Sequence, residues 1–366
     1  MTRRTRRILV APTAFKGTLG PAAVAAAMAE GARRVWPASH VVERPLSDGG
    51  NGLLEACQRL GGGRLQKVRV SGPLGDPVDA ALLRRGDEGV IESAQACGLH
   101  LVPEGRRDPL VATSRGVGEL IAAALEAGAG RILLGLGGSA TVDGGAGMAR
   151  ALGWHFADAE GRPLPEGGGV LERLATIEPP AERTRMDVIA LCDVENALTG
   201  PSGAARVYGP QKGAGKGEVE RLESGLARLA EVIGARLGIG VAGLPGAGAA
   251  GGLGAGVRAF LDGELRSGAA WMMERAGLYE ELEEADLLIT GEGGFDAQSG
   301  MGKLTGRVIE AAGAVRVPVL LVCGRLEGRP PRGVRALDGR GRWLDEGELA
   351  ELVEAGCRGL AGGDRL

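Results

Sequence analysis

The chain has 366 residues, 44% of them hydrophobic and 24% charged, with a formal net charge of -3. That length predicts about two domains with room for a core that needs no cross-links. The charge balance excludes a nucleic-acid binder relying on a broadly basic surface, and no run of about 18 uncharged apolar residues is present to span a membrane.

The opening alternates strand and helix. The basic Met1–Arg7 stretch runs into an apolar strand, Arg7–Pro12, and reads as the start of a fold rather than a secretory signal. Pro21 is placed to open a helix at its first position, and Ala22–Trp36 is rich in helix formers. Val41–Leu46 is a second strand, followed by a Gly-rich turn and a helix to about Leu60. From Gly61 the texture changes to short strands, Lys67–Ser71, Val78–Arg84 and Gly89–Glu92, split by Gly-Pro and Gly-Asp turns as in antiparallel hairpins.

A helix at Ala112–Ala127 leads to the strand Arg131–Leu136, and Asp143–Leu152 reads as another helix. Residues 157–185 read as loops. Asp187–Cys192 is a strand, and a long amphipathic helix runs over Glu218–Leu237. Gly243–Gly256 is of low complexity, with no element assigned. Then βαβ grammar returns: strand Asp286–Thr290, loop Gly291–Asp296, helix Thr305–Ala314, strand Val317–Cys323. Both ends of the chain are therefore α/β. The fold class expected is α/β with two domains: a discontinuous Rossmann/flavodoxin-like parallel domain (1–65 and 281–366) and an inserted mixed α/β domain (66–280).

Composition narrows the chemistry. The chain carries 67 glycines with no collagen period, and four Trp, two Tyr and four Phe. Its core must therefore be built from Ala, Leu and Val. The cysteines (Cys57, Cys97, Cys192, Cys323, Cys357) form no CxxC pair, and His40, His100 and His155 lie far apart. This pattern predicts a reducing, cytoplasmic setting without zinc. Of 43 basic residues only five are lysine: Lys16, Lys67, Lys212, Lys216 and Lys303. All but Lys67 have a glycine neighbour. A compact ammonium beside flexible backbone suits a phosphate.

In open α/β sheets, ligands sit beyond the C-terminal ends of the strands. Here those ends carry Thr13 and Lys16, Ser47 and Asp48, Gly137, Gly138, Ser139 and Thr141, Asp193 and Asn196, and Glu292 and Asp296. Gly loops offer amides to anions, especially at helix N-termini. Lysines add charge, and carboxylates hold Mg²⁺ or take a hydroxyl proton. Together these parts match phosphoryl transfer. No Walker A is present, since Ala297–Leu304 lacks its first Gly and its final hydroxyl, and there is no protein-kinase motif set. Gly135–Ala140 fits the dinucleotide pattern G-x-G-x-x-A, and Gly246–Gly251 fits G-x-G-x-x-G without a strand before it. An NAD(P)-dependent dehydrogenase and a non-catalytic nucleotide-binding regulator are the competing readings.

Six ordered segments resemble the bacterial glycerate kinase family. Ala11–Leu19 (APTAFKGTL) is similar to that family's opening, and Leu46–Gly52 (LSDGGNG) to its ADGGEGT segment. Leu136–Met148 (LGGSATVDGGAGM) resembles GGSATNDGGAGM, and Cys192–Leu198 (CDVENAL) resembles CDVxNPL. Tyr208–Ala214 (YGPQKGA) and Thr290–Asp296 (TGEGGFD), with Gly302-Lys303 following, complete the set. Val142, Ala197, Asn51 and Gly294 depart from the family's residues, and Gly294 removes a positive charge.

The resemblance implies an active, cytoplasmic kinase that uses ATP and Mg²⁺ to phosphorylate D-glycerate, typically at the 2-hydroxyl. It also implies two α/β domains with the site in the cleft between them. The expected partner is that small substrate, with no nucleic acid or membrane, and the protein is a monomer or homodimer. A different small hydroxy acid is the sibling alternative. Carried over residue by residue, Lys16, Asp48, Asp193 and Asp296 are the expected catalytic residues. Gly137, Gly138, Ser139, Thr141 and Lys303 would bind ATP phosphates, and Asn196, Lys212 and Glu292 the substrate. Asp193 and Asp296 are the expected Mg²⁺ ligands.

Overall fold

Ile8, Leu9 and Val10 are all buried although neighbouring strand residues point to opposite faces. A strand covered on both faces belongs in the middle of a parallel sheet. In the computed structural model, which describes residues 5–15, 17–182, 186–296, 303–342 and 344–362, Arg7–Val10 does sit inside such a sheet. It pairs in parallel with His40–Glu43 on one side and Leu287–Phe295 on the other. Val319–Leu326 and Val334–Asp338 extend the sheet, again in parallel. Numbered in chain order, the five strands lie 2-1-3-4-5, the flavodoxin-like order. Helices Pro21–Val35 and Glu346–Ala361 cover one face, packing Val24, Met28, Leu349 and Val353 on Ile8, Val10, Ile289 and Leu320.

This sheet belongs to one of two units. The first comprises Met1–Asp48, Glu55–Gly62 and Gly268–Leu366, and the second Gly49–Leu54 and Gly63–Ser267. The second holds a mixed six-stranded sheet. Arg64–Ser71, Pro77–Arg85 and Glu88–Glu92 form the antiparallel part, as the turn chemistry predicts. Glu88–Glu92, Arg131–Gly135, Asp187–Leu191 and Glu264–Arg266 run parallel.

Two hydrophobic cores fill this unit, and the first lies against that sheet. One packs helix Arg115–Glu126 on it through Val117, Leu120, Ile121 and Ala124. The other is built around Leu222, Leu226 and Leu229 of helix Lys216–Leu237. Within the second core Trp154 and Phe156 meet Phe260 edge to face, at 5.0 and 5.5 Å between ring centroids.

Three segments differ from expectation, the first being residues 157–185, where Thr176–Glu178 is a strand paired antiparallel with His155–Ala157. Gly291–Phe295 is no loop: the strand continues through it, pairing Glu292 with Cys323 and Phe295 with Leu326. Glycine serves there because a Cβ on Gly291 would collide with the Val322 carbonyl. The low-complexity segment forms helix Ala249–Phe260, kinked at Ala250, Gly251 and Gly252, whose φ values are 51°, 72° and 92°. Its buried face of Leu253, Val257 and Phe260 supplies the stability that its glycines withhold.

Candidate active site

The four parallel strands of the second unit end in register: Glu92 beside Gly135, Gly135 beside Leu191, Leu191 beside Arg266. Just beyond this common edge lie Ser93, Gly137–Thr141, Asp193 and Ser267. They are drawn together by hydrogen bonds. Gly137 N donates to Ser93 Oγ at 3.4 Å, and Ser267 Oγ donates to Asp193 Oδ1 at 2.7 Å. The Gly137–Thr141 loop is pinned from behind by Leu99 N to Gly138 O and Ala140 N to Cys97 O, both 2.7 Å. Among the described residues the amides of Gly138, which is exposed, and of Ser139, which is buried, meet no protein acceptor.

Lys212 lies behind the same loop. It is buried, and its Nζ donates to Ser139 Oγ at 3.0 Å and to Thr141 O at 2.7 Å. Burial pushes its ammonium down to about 8, partly opposed by Cys97 and Asp143. The expected substrate ligand thus holds the expected phosphate loop. Asn196, in the same unit, has both ends of its amide engaged: Nδ2 donates to Ser202 O at 2.8 Å and Oδ1 accepts from Tyr208 Oη at 2.7 Å.

The loop is not at a helix N-terminus. The following helix begins only at Ala146, and its first amides are taken by a buried carboxylate. Asp143 accepts from Gly145 N and Gly147 N at 3.1 Å, and from Ser114 N and Ser114 Oγ at 2.8 Å. Burial raises its pKa while those four donors oppose the rise. This helix end is therefore closed to an anion. The dinucleotide pattern at Gly135–Ala140 also loses the helix end on which a pyrophosphate would rest. Cys97 and Cys192 are poor nucleophiles, because burial pushes their thiols up to about 12 and about 11.

In the first unit, the 2-1-3-4-5 order reverses between Arg7–Val10 and Leu287–Phe295, the position at which such sheets bind ligands. Thr13 spans that point, its N donating to Gly291 O at 2.9 Å and its Oγ1 to the same oxygen at 3.2 Å. Glu292 lies within strand Leu287–Phe295, paired with Cys323. Asp296 lies at the strand's end, with Lys303 Nζ 3.6 Å from its Oδ1. Asp48 is exposed at the end of this unit's first segment. Lys16 and residues 297–302 lie outside the described residues.

The expected residues therefore form two groups. Asp48, Glu292, Asp296 and Lys303 belong to the first unit; Gly137, Gly138, Ser139, Thr141, Asp193, Asn196 and Lys212 belong to the second.

Sequence reasoning missed Glu92, whose buried carboxylate accepts from Leu54 N at 2.9 Å. It ends a strand like the others, and that signal could have found it. It also missed Ser267 and the Gly248–Gly252 turn. A Cβ on Gly251, which has a left-handed φ, would fall inside contact distance of the Thr141 carbonyl. Cavities of about 790 and 550 Å³ lie around Trp154, and none of the expected site residues lines either.

Residues 8–337 match the sequence profile of the glycerate kinase family. The chain is 44% identical to a glycerate kinase of Halalkalibacterium halodurans over 324 residues, 87% of this chain and 85% of the relative. It is 43% identical to a glycerate 2-kinase of Escherichia coli K12 over 325 residues, with the same coverage. A crystal structure from Salmonella typhimurium LT2, assigned as a glycerate kinase 2, superposes with a TM-score of 0.86 at 38% identity. It covers 98% of this chain and 99% of that one. The chain belongs to the glycerate kinase family.

Proposed function

We propose that this protein transfers the γ-phosphoryl group of ATP to the 2-hydroxyl of D-glycerate, giving 2-phosphoglycerate and ADP. The observation that carries the reading is the Gly137–Thr141 loop. It sits at the carboxyl edge of four parallel strands, with two amides that meet no protein acceptor among the described residues and an ammonium behind it. In the reaction the substrate oxygen forms its bond to the γ-phosphorus, the bond to the β–γ bridging oxygen breaks, and the hydroxyl proton leaves to a carboxylate. Positioning and charge stabilisation supply most of the catalysis in such a step.

The loop orients the ATP phosphates, and Lys16 and Lys303 balance charge on phosphate or on the glycerate carboxylate. Asp48, Asp193 and Asp296 are the carboxylates assigned to proton removal and metal binding. Asn196 and Glu292 are assigned to the acceptor. Among the described residues no three His, Cys, Asp or Glu side chains converge as a metal site. Mg²⁺ takes one or two carboxylates together with substrate phosphates. Asp193 or Asp296 would hold it, and the ion would neutralise phosphate charge.

The test is ADP release with Mg-ATP and D-glycerate, the product being identified by ³¹P NMR. The expected outcome is glycerate-dependent turnover with phosphorus on the 2-oxygen. Turnover only with another hydroxy acid would move the specificity, and the departures at Gly294 and Asn51 would be examined first. Nucleotide binding without turnover on any acceptor would overturn the kinase reading.

A further inference from the structure

Lys212 is a buried charge with incomplete compensation. Its ammonium has three protons to donate, and its acceptors among the described residues are one hydroxyl and one carbonyl, Ser139 Oγ and Thr141 O. No carboxylate lies within ion-pair distance of it among those residues.

Three groups face it from the elements packed around it. Cys97 ends helix Ala94–Cys97 and is a neutral thiol, pushed up to about 12. Asp143 precedes helix Ala146–Ala151, and its carboxylate already accepts from two amides of that helix end and from Ser114. Tyr208 ends helix Ala204–Tyr208, with its ring centroid 6.0 Å from Nζ. A buried ammonium held by neutral acceptors is unfavourable by itself. The two acceptors it does hold are side chain and backbone of the loop whose Gly138 and Ser139 amides meet no protein acceptor among the described residues.

We propose that Lys212 is a positioning residue. Its ammonium holds the Gly137–Thr141 loop in the shape that receives a nucleotide phosphate, and the bound phosphate in turn stabilises that ammonium. This rests on the kinase reading above. It assigns Lys212 to the loop rather than to the acceptor.

The linkage has a definite sign. The free protein holds this proton only up to about pH 8, and an anion nearby favours the charged form. Nucleotide binding above pH 8 therefore takes up a proton, and affinity weakens as pH rises through that value.

The experiment is calorimetric titration of the full chain with ADP at pH 8.5 in two buffers of different ionisation enthalpy. At that pH the nucleotide phosphates have finished titrating. The wild type is expected to take up a large fraction of one proton, and Lys212→Met to take up none. That variant should raise the KM for ATP about tenfold or more with a smaller change in kcat. Lys212→Arg should not rescue it, because a planar guanidinium does not replace a compact ammonium. If Lys212→Met does not fold, the wild-type proton uptake and its pH dependence decide alone. Wild-type ADP binding and glycerate turnover without proton uptake would overturn the role of Lys212 and leave the kinase reading standing. No ADP binding by the wild type would overturn both.

Discussion

At the scale of single residues, Asp193 is a carboxylate at the same strand edge as the Gly137–Thr141 loop, inside one unit, with Ser267 Oγ donating to it at 2.7 Å. Asp193→Asn keeps an acceptor for that hydroxyl and removes the charge. If Asp193 takes the substrate proton, kcat falls about 100-fold or more while the KM for ATP holds. If it holds Mg²⁺, activity returns as Mg²⁺ is raised. Steady-state kinetics at two Mg²⁺ concentrations separates these outcomes, and an unchanged kcat at both removes Asp193 from the machinery. The lysines show how far residue-level reading reaches. Lys212 and Lys216 are both flanked by glycine and look alike in sequence. Lys212 is buried on Ser139 and Thr141, whereas Lys216 starts a helix in solvent. The acceptors of Lys212 lie 71 and 73 residues away in the chain, so the glycine neighbour does not distinguish the two, and only the YGPQKGA resemblance sets Lys212 apart.

At the scale of elements, the long apolar or amphipathic segments were legible. Helices Pro21–Val35 and Lys216–Leu237 and the hairpin strands stand close to where periodicity and turn residues place them. Glycine-rich segments were not, because glycine has no side chain to display a period. The Gly291–Phe295 half of strand Leu287–Phe295 and helix Ala249–Phe260 exist through what packs on them. The last helix, Glu346–Ala361, carries a signal in its own sequence: Glu348 N donates to Asp345 Oδ1 at 2.8 Å, and Asp345 N to Glu348 Oε2 at 3.2 Å. Removing that cap with Asp345→Ala is expected to cost about 1 kcal/mol. A urea titration should show the lower midpoint with activity at low denaturant retained. An unchanged midpoint would mean that burial of Leu349 and Val353 alone holds the helix.

At the scale of the whole molecule, each sheet is completed by strands far along the chain. Ile8 pairs with Leu287, and Ile132 with Val188. A fragment of residues 1–150 would lose the inner neighbour of Arg7–Val10 and one neighbour of Arg131–Gly135. It is expected to show no cooperative unfolding transition by circular dichroism in urea. A sharp transition would mean that the first 150 residues form a folding unit of their own.

The sequence by itself determined the α/β class, the alternation of elements, the family, and the placing of polar residues just after strand ends. These follow from local periodicity, turn chemistry and ordered motifs. Tertiary structure alone decided the 2-1-3-4-5 strand order, the burial of Lys212, and the four donors on Asp143 that close a helix end to anions. Each of these depends on contacts between residues distant in the chain, and burial is a property of the neighbours that surround a side chain, not of the residues beside it in sequence.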